Sequence, residues 1–369
     1  MIALTLDPQQ AVILIPSLEP DDRLPAYVAA LRGRGFAHVV VVDDGSSESY
    51  QPIFSRLQAM DGCEVLHHEV NRGKGVALKT GYAHIQRSLP DAVGVITADA
   101  DGQHTVEDCW KLAKALCENQ DALYLGSRDF GLAHVPPKSR WGNRITSGVF
   151  RLLYGQWLPD TQTGLRAFPA KQLSFMQEVE GDRFEYEMNV LIACARSGIP
   201  MVPVTIETIY ENENAGTHFH PFRDSYRIYK VILGSYIKFL GASILSFLID
   251  QGVFALMQNV VLANMGAGQE IVNTVVARCI SAPCNFLMNK SFVFKAKSSR
   301  QAFLRYIVLA AGLLAASAVG VELLVTLLHF APALASLVKL VVDTLLYLIS
   351  YRIQNRWVVP PDAKEAAAG

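Results

Sequence analysis

Two carboxylates one residue apart, Asp99 and Asp101, follow an apolar run over Ala92–Ala98, and Gln103 stands two positions further on. In a loop after a strand, both carboxylates can turn toward one hard cation. Mg²⁺ or Mn²⁺ accepts such oxygen ligands and keeps positions open for phosphate oxygens. Gln103 adds an amide oxygen to the candidate metal set, while His104 fits better beside that set than in it. The plainer reading is an acidic loop that caps the following helix.

Three more polar clusters precede this one. Pro16-Ser17-Leu18-Glu19 ends the first apolar run. Asp43-Asp44-Gly45-Ser46 ends the second; its carboxylates suit a base or ribose, and the same four residues are ordinary turn chemistry. Asn71-Arg72-Gly73-Lys74-Gly75 opens a helix. Its glycines, its cations and a helix N-terminus suit an anion. The spacing is not that of a Walker loop, and a basic helix cap is the alternative.

The elements that must position these clusters alternate in type. Ala11–Ile15, Ala37–Val42, Cys63–His67 and Ala92–Ala98 read as strands. Asp21–Arg34, Gly75–Arg87 and Thr105–Cys117 read as helices. That rhythm predicts a mostly parallel sheet covered by helices, a Rossmann-like α/β domain. Ligands of such sheets bind beyond the carboxyl ends of the strands, where all four clusters fall. Further along, Arg140, Asn143 and Arg144 open a helix after Pro136-Pro137 and are placed to grip a lipid phosphate; a structural role is the alternative for each.

The ordered set, completed by Gly126-Ser127-Arg128, resembles family-2 glycosyltransferases of the GT-A fold, nearest to the polyprenyl-phosphate (dolichol-phosphate mannose synthase-like) type. The resemblance spans roughly residues 10 to 235. It implies a nucleotide-sugar site of Pro16, Glu19, Asp43, Asp44, Lys74 and Asp99, a metal held by Asp99, Asp101 and Gln103, and Asp101 and Arg128 as catalytic residues, Arg128 touching a phosphate. The Asp160–Arg166 segment, with Asp160, Gln162 and Arg166, and the acidic helix start at Glu185 look like the acceptor side, together with Arg140 and Asn143. The first cluster departs from the family pattern Pro-x-Tyr-Asn-Glu, so its aromatic contact is missing. The implied reaction is inverting transfer from a nucleotide diphosphate sugar (a UDP- or GDP-hexose) to polyprenyl phosphate.

Bulk properties divide the chain. Its 369 residues carry a net charge of −1, with nothing to suggest a nucleic-acid partner, and are 51% hydrophobic. Charged residues thin out after Lys238. The six scattered cysteines form no Cys-x-x-Cys pair and read as reduced thiols. No basic, apolar leader opens the chain, so the first domain is expected in the cytoplasm. Expected domains are 1–220 for sugar transfer, 221–238 as an interfacial amphipathic helix, 239–359 as an all-α four-helix membrane domain, and 360–369 as a tail.

Four apolar stretches near residues 237–262, 271–288, 306–328 and 333–351 each approach the roughly 20 residues that cross a bilayer. Lys290, Lys295, Lys297, Arg300 and Arg305 gather in the second link. The excess of basic residues there predicts a multi-pass inner-membrane protein with both termini in the cytoplasm. Asn289-Lys290-Ser291-Phe292-Val293-Phe294 and Asn355-Arg356-Trp357-Val358-Val359 form a faint repeat. This half resembles the GtrA-like family, which implies a link to glycolipid synthesis and to movement of lipid-linked sugars. Asp250, Arg278, Glu322, Lys339 and Asp343 lie inside the stretches. There a charge costs about 2.5–3.5 kcal/mol, so a headgroup path and mutual pairing are both open readings. A homo-oligomer is left open. Other readings are a polysaccharide synthase, a translocating membrane half and a nucleotidyltransferase. Gln354-Asn355-Arg356-Trp357 is one residue short of the synthase motif and follows the last stretch instead of preceding the first, and no pyrophosphorylase opening is present.

Overall fold

The computed structural model describes residues 6–132, 135, 137–207, 221–257, 259, 269–294, 300–327 and 335–358. The chain divides into two compact units, the first reaching Val231 and the second running Ile232–Asp362.

The first unit holds a seven-stranded sheet. Its strands are β1 (Ala11–Ser17), β2 (Val39–Asp43), β3 (Cys63–His67), β4 (Gly94–Thr97), β5 (Leu123–Arg128), β6 (Arg166–Pro169) and β7 (Met201–Ile206), in the order β3-β2-β1-β4-β6-β5-β7. Antiparallel β6 sits between β4 and β5, and every other pairing is parallel. β1 and β2 are buried along their whole length. That is why they read as unbroken apolar runs instead of alternating ones. The helices are α1 (Arg23–Arg34), α2 (Gln51–Gln58), α3 (Lys74–Ser88), α4 (Val106–Glu118), α5 (Pro137–Tyr154), α6 (Leu173–Glu178) and α7 (Glu185–Ser197). Leu24, Val28 and Leu31 of α1 and Cys109, Leu112 and Leu116 of α4 close over one core with Ile13, Ile15, Val39 and Val41 of the sheet. Thr105 caps α4: its hydroxyl accepts from the Asp108 N–H at 3.0 Å. That cap is worth about 1 kcal/mol.

This topology brings one edge of the sheet together. The carboxyl ends of β1, β2, β3, β4 and β5 point the same way. Because β6 runs backward, the segment before it, Asp160–Leu165, reaches that edge too.

The second unit contains the later part of α8 (Pro221–Leu256), then α9 (Gln269–Met288), α10 (Arg300–Leu327) and α11 (Ala335–Ile353). The helix starting at Pro221 extends to Leu256 and covers both the expected interfacial segment and most of the first apolar stretch. Among the described residues, Tyr229–Leu256 is the one helix long and apolar enough to cross a membrane by length and composition. α9 and α11 each pass into a π-helical turn, Asn289–Val293 and Gln354–Val358. These turns coincide with the two copies of the sequence repeat. They also meet: Asn289 Nδ2 donates to Gln354 Oε1 at 3.1 Å. Asp250 accepts from the Ser281 hydroxyl at 2.7 Å and lies 3.6 Å from Arg278, so mutual pairing describes this part of the bundle. The side chains of Glu322, Lys339 and Asp343 lie outside the described residues.

Candidate active site

The Asp43-Asp44 pair faces inward. Asp43 Oδ1 accepts the Ser46 N–H at 2.8 Å, and its Oδ2 faces Gln51 Nε2 at 3.1 Å and His67 Nδ1 at 3.0 Å. Burial raises its pKa, but these hydrogen bonds outweigh it and leave the group below the usual value of 3.8. Asp44 accepts the Arg72 N–H (3.0 Å) and His68 Nδ1 (2.8 Å) on Oδ1, and the Gly73 N–H (2.8 Å) on Oδ2. The two amides just ahead of α3 are thus matched by the protein's own carboxylate.

The glycines of that segment have a packing reason. A Cβ on Gly73 would lie 2.5 Å from the Asp182 carbonyl oxygen, and one on Gly75 would lie 2.7 Å from the Tyr186 Cβ. Val76 N–H donates to the same Asp182 oxygen at 3.1 Å. Asn71–Gly75 is thus the seat on which the 181–186 turn rests.

From that seat Lys74 reaches into the site. Its Nζ lies 2.7 Å from Asp99 Oδ1 and 3.0 Å from Glu187 Oε1. Burial alone would lower the ammonium's pKa, but the two carboxylates outweigh it and raise it, so the group stays charged. His104 Nε2 lies 3.2 Å from the other oxygen of Asp99. Burial pushes the Asp99 carboxyl up; Lys74 and His104 more than reverse this, and it is held ionised. Gly164 leaves room for it: a Cβ there would come within 2.4 Å of Asp99 Oδ2.

Asp101 is different. Its Oδ1 accepts only the Gln103 N–H, at 3.0 Å, and Oδ2 has no hydrogen bond among the described residues. Burial and then the charge of Asp99 raise its pKa. It is an anion short of positive partners, on the ligand edge of the sheet. The Gln103 side chain likewise has no hydrogen-bond partner among the described residues. No cluster of three or more His, Cys, Asp or Glu groups is assembled to hold a metal there. One or two carboxylates, with phosphate oxygens and water completing the shell, are the usual set for Mg²⁺. Asp101 with Asp99 fits that donor chemistry.

Arg128, at the end of β5, is paired. Nε lies 2.7 Å from Asp160 Oδ2 and Nη2 lies 3.2 Å from Oδ1; the Asp160 side chain is fully buried. Its guanidinium carbon lies 5.2 Å from the Phe130 ring centroid. Asp160 also accepts the Gln162 N–H at 3.0 Å, leaving the Gln162 side chain exposed.

Other expected residues serve the backbone. Arg166 is buried and donates to the Thr163 and Glu187 carbonyls at 3.1 and 2.6 Å. Asn143 donates to the Pro159 carbonyl and accepts the Thr161 N–H at 3.4 Å, which clamps the turn before Asp160. Arg140 donates to the Leu132 carbonyl at 3.0 Å, and Glu185 accepts the N–H groups of Asp182 and Arg183, both at 3.1 Å. Pro16 is a buried residue of β1, in register with Val42. Glu19 takes a left-handed backbone (φ 50°), and its N–H donates to Ser46 Oγ at 2.8 Å, tying the ends of β1 and β2. His68, which links Asp44 to Thr80, is the participant that sequence reasoning missed. Glu187 was legible in an acidic helix start and, for a hydroxyl acceptor, as a general base; its pairing with Lys74 was not.

Comparison with known proteins identifies the family of each half of the chain. Residues 12–168 match glycosyl transferase family 2, and residues 232–359 match the GtrA/DPMS transmembrane domain. An uncharacterised protein, MJ1222, from Methanocaldococcus jannaschii is 30% identical over 211 residues, 56% of this chain and 84% of that one. The chain belongs to glycosyl transferase family 2. A UDP-N-acetylglucosamine–dolichyl-phosphate N-acetylglucosaminyltransferase of Methanococcus voltae is 26% identical, covering 54% of this chain and 85% of that one. Glycosyltransferase AglJ of Haloferax volcanii is 28% identical, covering 59% and 69%. Among solved structures, glucosyl-3-phosphoglycerate synthase of Mycobacterium tuberculosis aligns with a TM-score of 0.46 at 14% identity, over 61% of this chain and 77% of that one. That overlap is too loose to bear on the site. The chain is thus a family-2 glycosyltransferase with a membrane domain of the GtrA/DPMS kind.

Proposed function

We propose that this glycosyltransferase moves a hexose from a nucleotide diphosphate sugar to a polyprenyl phosphate at the cytoplasmic face of the membrane, with inversion at the anomeric carbon. The observation that carries the reading is Asp101, a half-buried carboxylate with a bare oxygen beside Asp99 on the ligand edge of the sheet. Asp99 and Asp101 would hold a divalent cation, with Gln103 beside them. Bound there, such an ion would neutralise charge on the departing diphosphate.

The chain's own groups do the rest. Lys74, fixed by Glu187, keeps Asp99 ionised and oriented. Asp160 fixes the Arg128 guanidinium at the end of β5, where it faces the same edge. A phosphate acceptor is already ionised at neutral pH and needs no general base, unlike a sugar hydroxyl. Its oxygen bonds to the anomeric carbon as the bond to the diphosphate breaks. Names of the relatives support the acceptor class: the Methanococcus voltae protein acts on dolichyl phosphate, and Edwardsiella ictaluri carries a relative named as an undecaprenyl-phosphate transferase, 26% identical over 175 residues.

Shape supports it as well. α5 leaves Trp141 (65% exposed) and Ile145 (53%) bare one turn apart, with Leu152 on the same side. An apolar strip of that kind on a helix bearing Arg144 and Arg151 suits a membrane surface. The four long helices after Pro221 are read as a four-span anchor with both termini in the cytoplasm.

The test incubates membranes containing the protein with labelled nucleotide sugars and polyprenyl phosphate. Label should enter the lipid phase with one donor, and chelating divalent cations should stop it. Label appearing only in water-soluble oligosaccharide would overturn the acceptor assignment in favour of a polysaccharide synthase.

A further inference from the structure

The turn that leads into α7 is held at nearly every residue, yet it carries one large side chain left outside the core. Lys79 Nζ donates to the Gly181 carbonyl at 2.9 Å, and Asn189 Nδ2 donates to the Glu180 carbonyl at 2.8 Å. Asp182 accepts the Val76 N–H on its carbonyl and gives its own N–H to Glu185. Arg183 Nη1 donates to Asn71 Oδ1 at 3.2 Å. Phe184 follows on this turn and is 67% exposed. A single exposed apolar residue is ordinary on a protein surface. A ring on a turn held this firmly is different, because its place is set before anything binds, and such preorganisation lowers the cost of binding.

That place decides what the ring can meet. The Phe184 ring centroid lies 5.9 Å from Lys74 Nζ, the ammonium that touches Asp99 at 2.7 Å and Glu187 at 3.0 Å. Phe184 and Glu187 are three residues apart at the start of α7, so their side chains leave the same side of the helix. An apolar ring and a carboxylate thus flank one ammonium at the ligand edge of the sheet. A pyranose has two matching characters. Its C–H face suits an aromatic face, whose quadrupole is negative, and its hydroxyl edge suits a carboxylate.

Three apolar faces belong to the reactants: the base, the hexose and the isoprenoid tail. The hexose is bonded directly to the diphosphate that Asp99 and Asp101 would meet through a cation. The ribose separates the base from that diphosphate, and the acceptor phosphate separates the tail from the reacting carbon. Phe184 reaches Asp99 through Lys74 alone, so the hexose matches it best. We propose that Phe184 is the platform on which the donor hexose stacks, and that it sets sugar preference. An axial hydroxyl on the stacked face lifts the sugar off the ring, so Phe184 favours a hexose whose stacked face is bare. The inference rests on the nucleotide-sugar reading of the same site.

The experiment uses full-length protein with Mn²⁺ and isothermal titration calorimetry. Kd is measured for UDP-glucose, UDP-galactose, UDP-N-acetylglucosamine and GDP-mannose, and for UDP and GDP. For the donor that wild type binds best, Phe184→Ala should weaken binding about two- to tenfold, the range of one aromatic contact. The Kd of the matching nucleoside diphosphate should not change, and the preference for that donor over the next should shrink. Phe184→Trp should keep donor binding. In the transfer assay, Phe184→Ala should raise KM for the donor while KM for polyprenyl phosphate holds, with the melting temperature unchanged. Equal weakening of donor and nucleoside diphosphate, unchanged donor binding, or a rise in KM for polyprenyl phosphate alone would each overturn the inference and leave the proposed function standing. Wild type that binds none of the four donors would overturn the proposed function, and this inference with it.

Discussion

The first unit holds two acidic pairs at neighbouring strand ends, and they have opposite surroundings. Asp43 and Asp44 are buried and ringed by donors: amides of Ser46, Arg72 and Gly73, and rings of His67 and His68. Asp99 is matched by Lys74 and His104, but Asp101 has one amide and a like charge beside it. The first pair is matched within the protein; under the proposed function the second gains a cation. Sequence motifs treat the pairs alike. What separates them is the count of donors that the protein itself supplies.

Mutating the incomplete member should have the largest effect on turnover. Asp101→Ala should reduce sugar transfer to polyprenyl phosphate by roughly a thousandfold or more, the scale of several kcal/mol of lost charge stabilisation. The melting temperature should hold or rise, because a poorly compensated anion is removed. Full activity in this variant would erase the contrast. Arg128→Ala should damage both properties, since it strands the fully buried Asp160. A loss of about 3–5 kcal/mol in unfolding free energy is expected, read by denaturant titration alongside turnover.

Asp44→Asn tests the other side. It should cost about 1–3 kcal/mol, because two amides and His68 lose a charged acceptor. Any activity loss should track the folded fraction, and at a temperature where the variant is fully folded, its KM for donor should match the wild type. A KM raised severalfold in folded protein would show that Asp44 meets the nucleotide after all. Glu187→Gln sharpens the comparison further. Lys74 keeps Asp99 but loses its second anchor, so turnover should fall about tenfold, the scale of one charge-assisted hydrogen bond, with little change in stability.

The smallest effect is a pH effect. Asp43 is held below its ordinary 3.8 in the folded state. Its contribution to stability is therefore present above pH 3.8 and is lost as pH falls through the lower folded value. Wild type should be more stable than Asp43→Asn at neutral pH, and the two should converge in strong acid. Parallel curves down to the lowest pH would mean that the hydrogen bonds around Asp43 do not depend on its charge.

Much of the fold was legible. The Cys63–His67 strand is as expected, and α1, α3 and α4 agree within one or two residues, because apolar runs and helical periodicity are local signals. Antiparallel β6 between β4 and β5 was not legible, since a four-residue strand says nothing local about its neighbours. The same limit hid the roles of the third cluster. Asp44 binds Arg72 and Gly73 from 28 and 29 positions away, and Gly75 meets Tyr186. Glycines and an arginine at a helix start suit a phosphate cradle and a close-packed seat alike, because the composition of the two is the same.

The anion that already sits at the head of α3 bears on protein engineering. Attempts to change the donor by randomising Asn71–Gly75 will fill libraries with insoluble clones long before they yield a new preference. Diversity is better directed at Leu18, whose side chain is exposed beside the same strand ends.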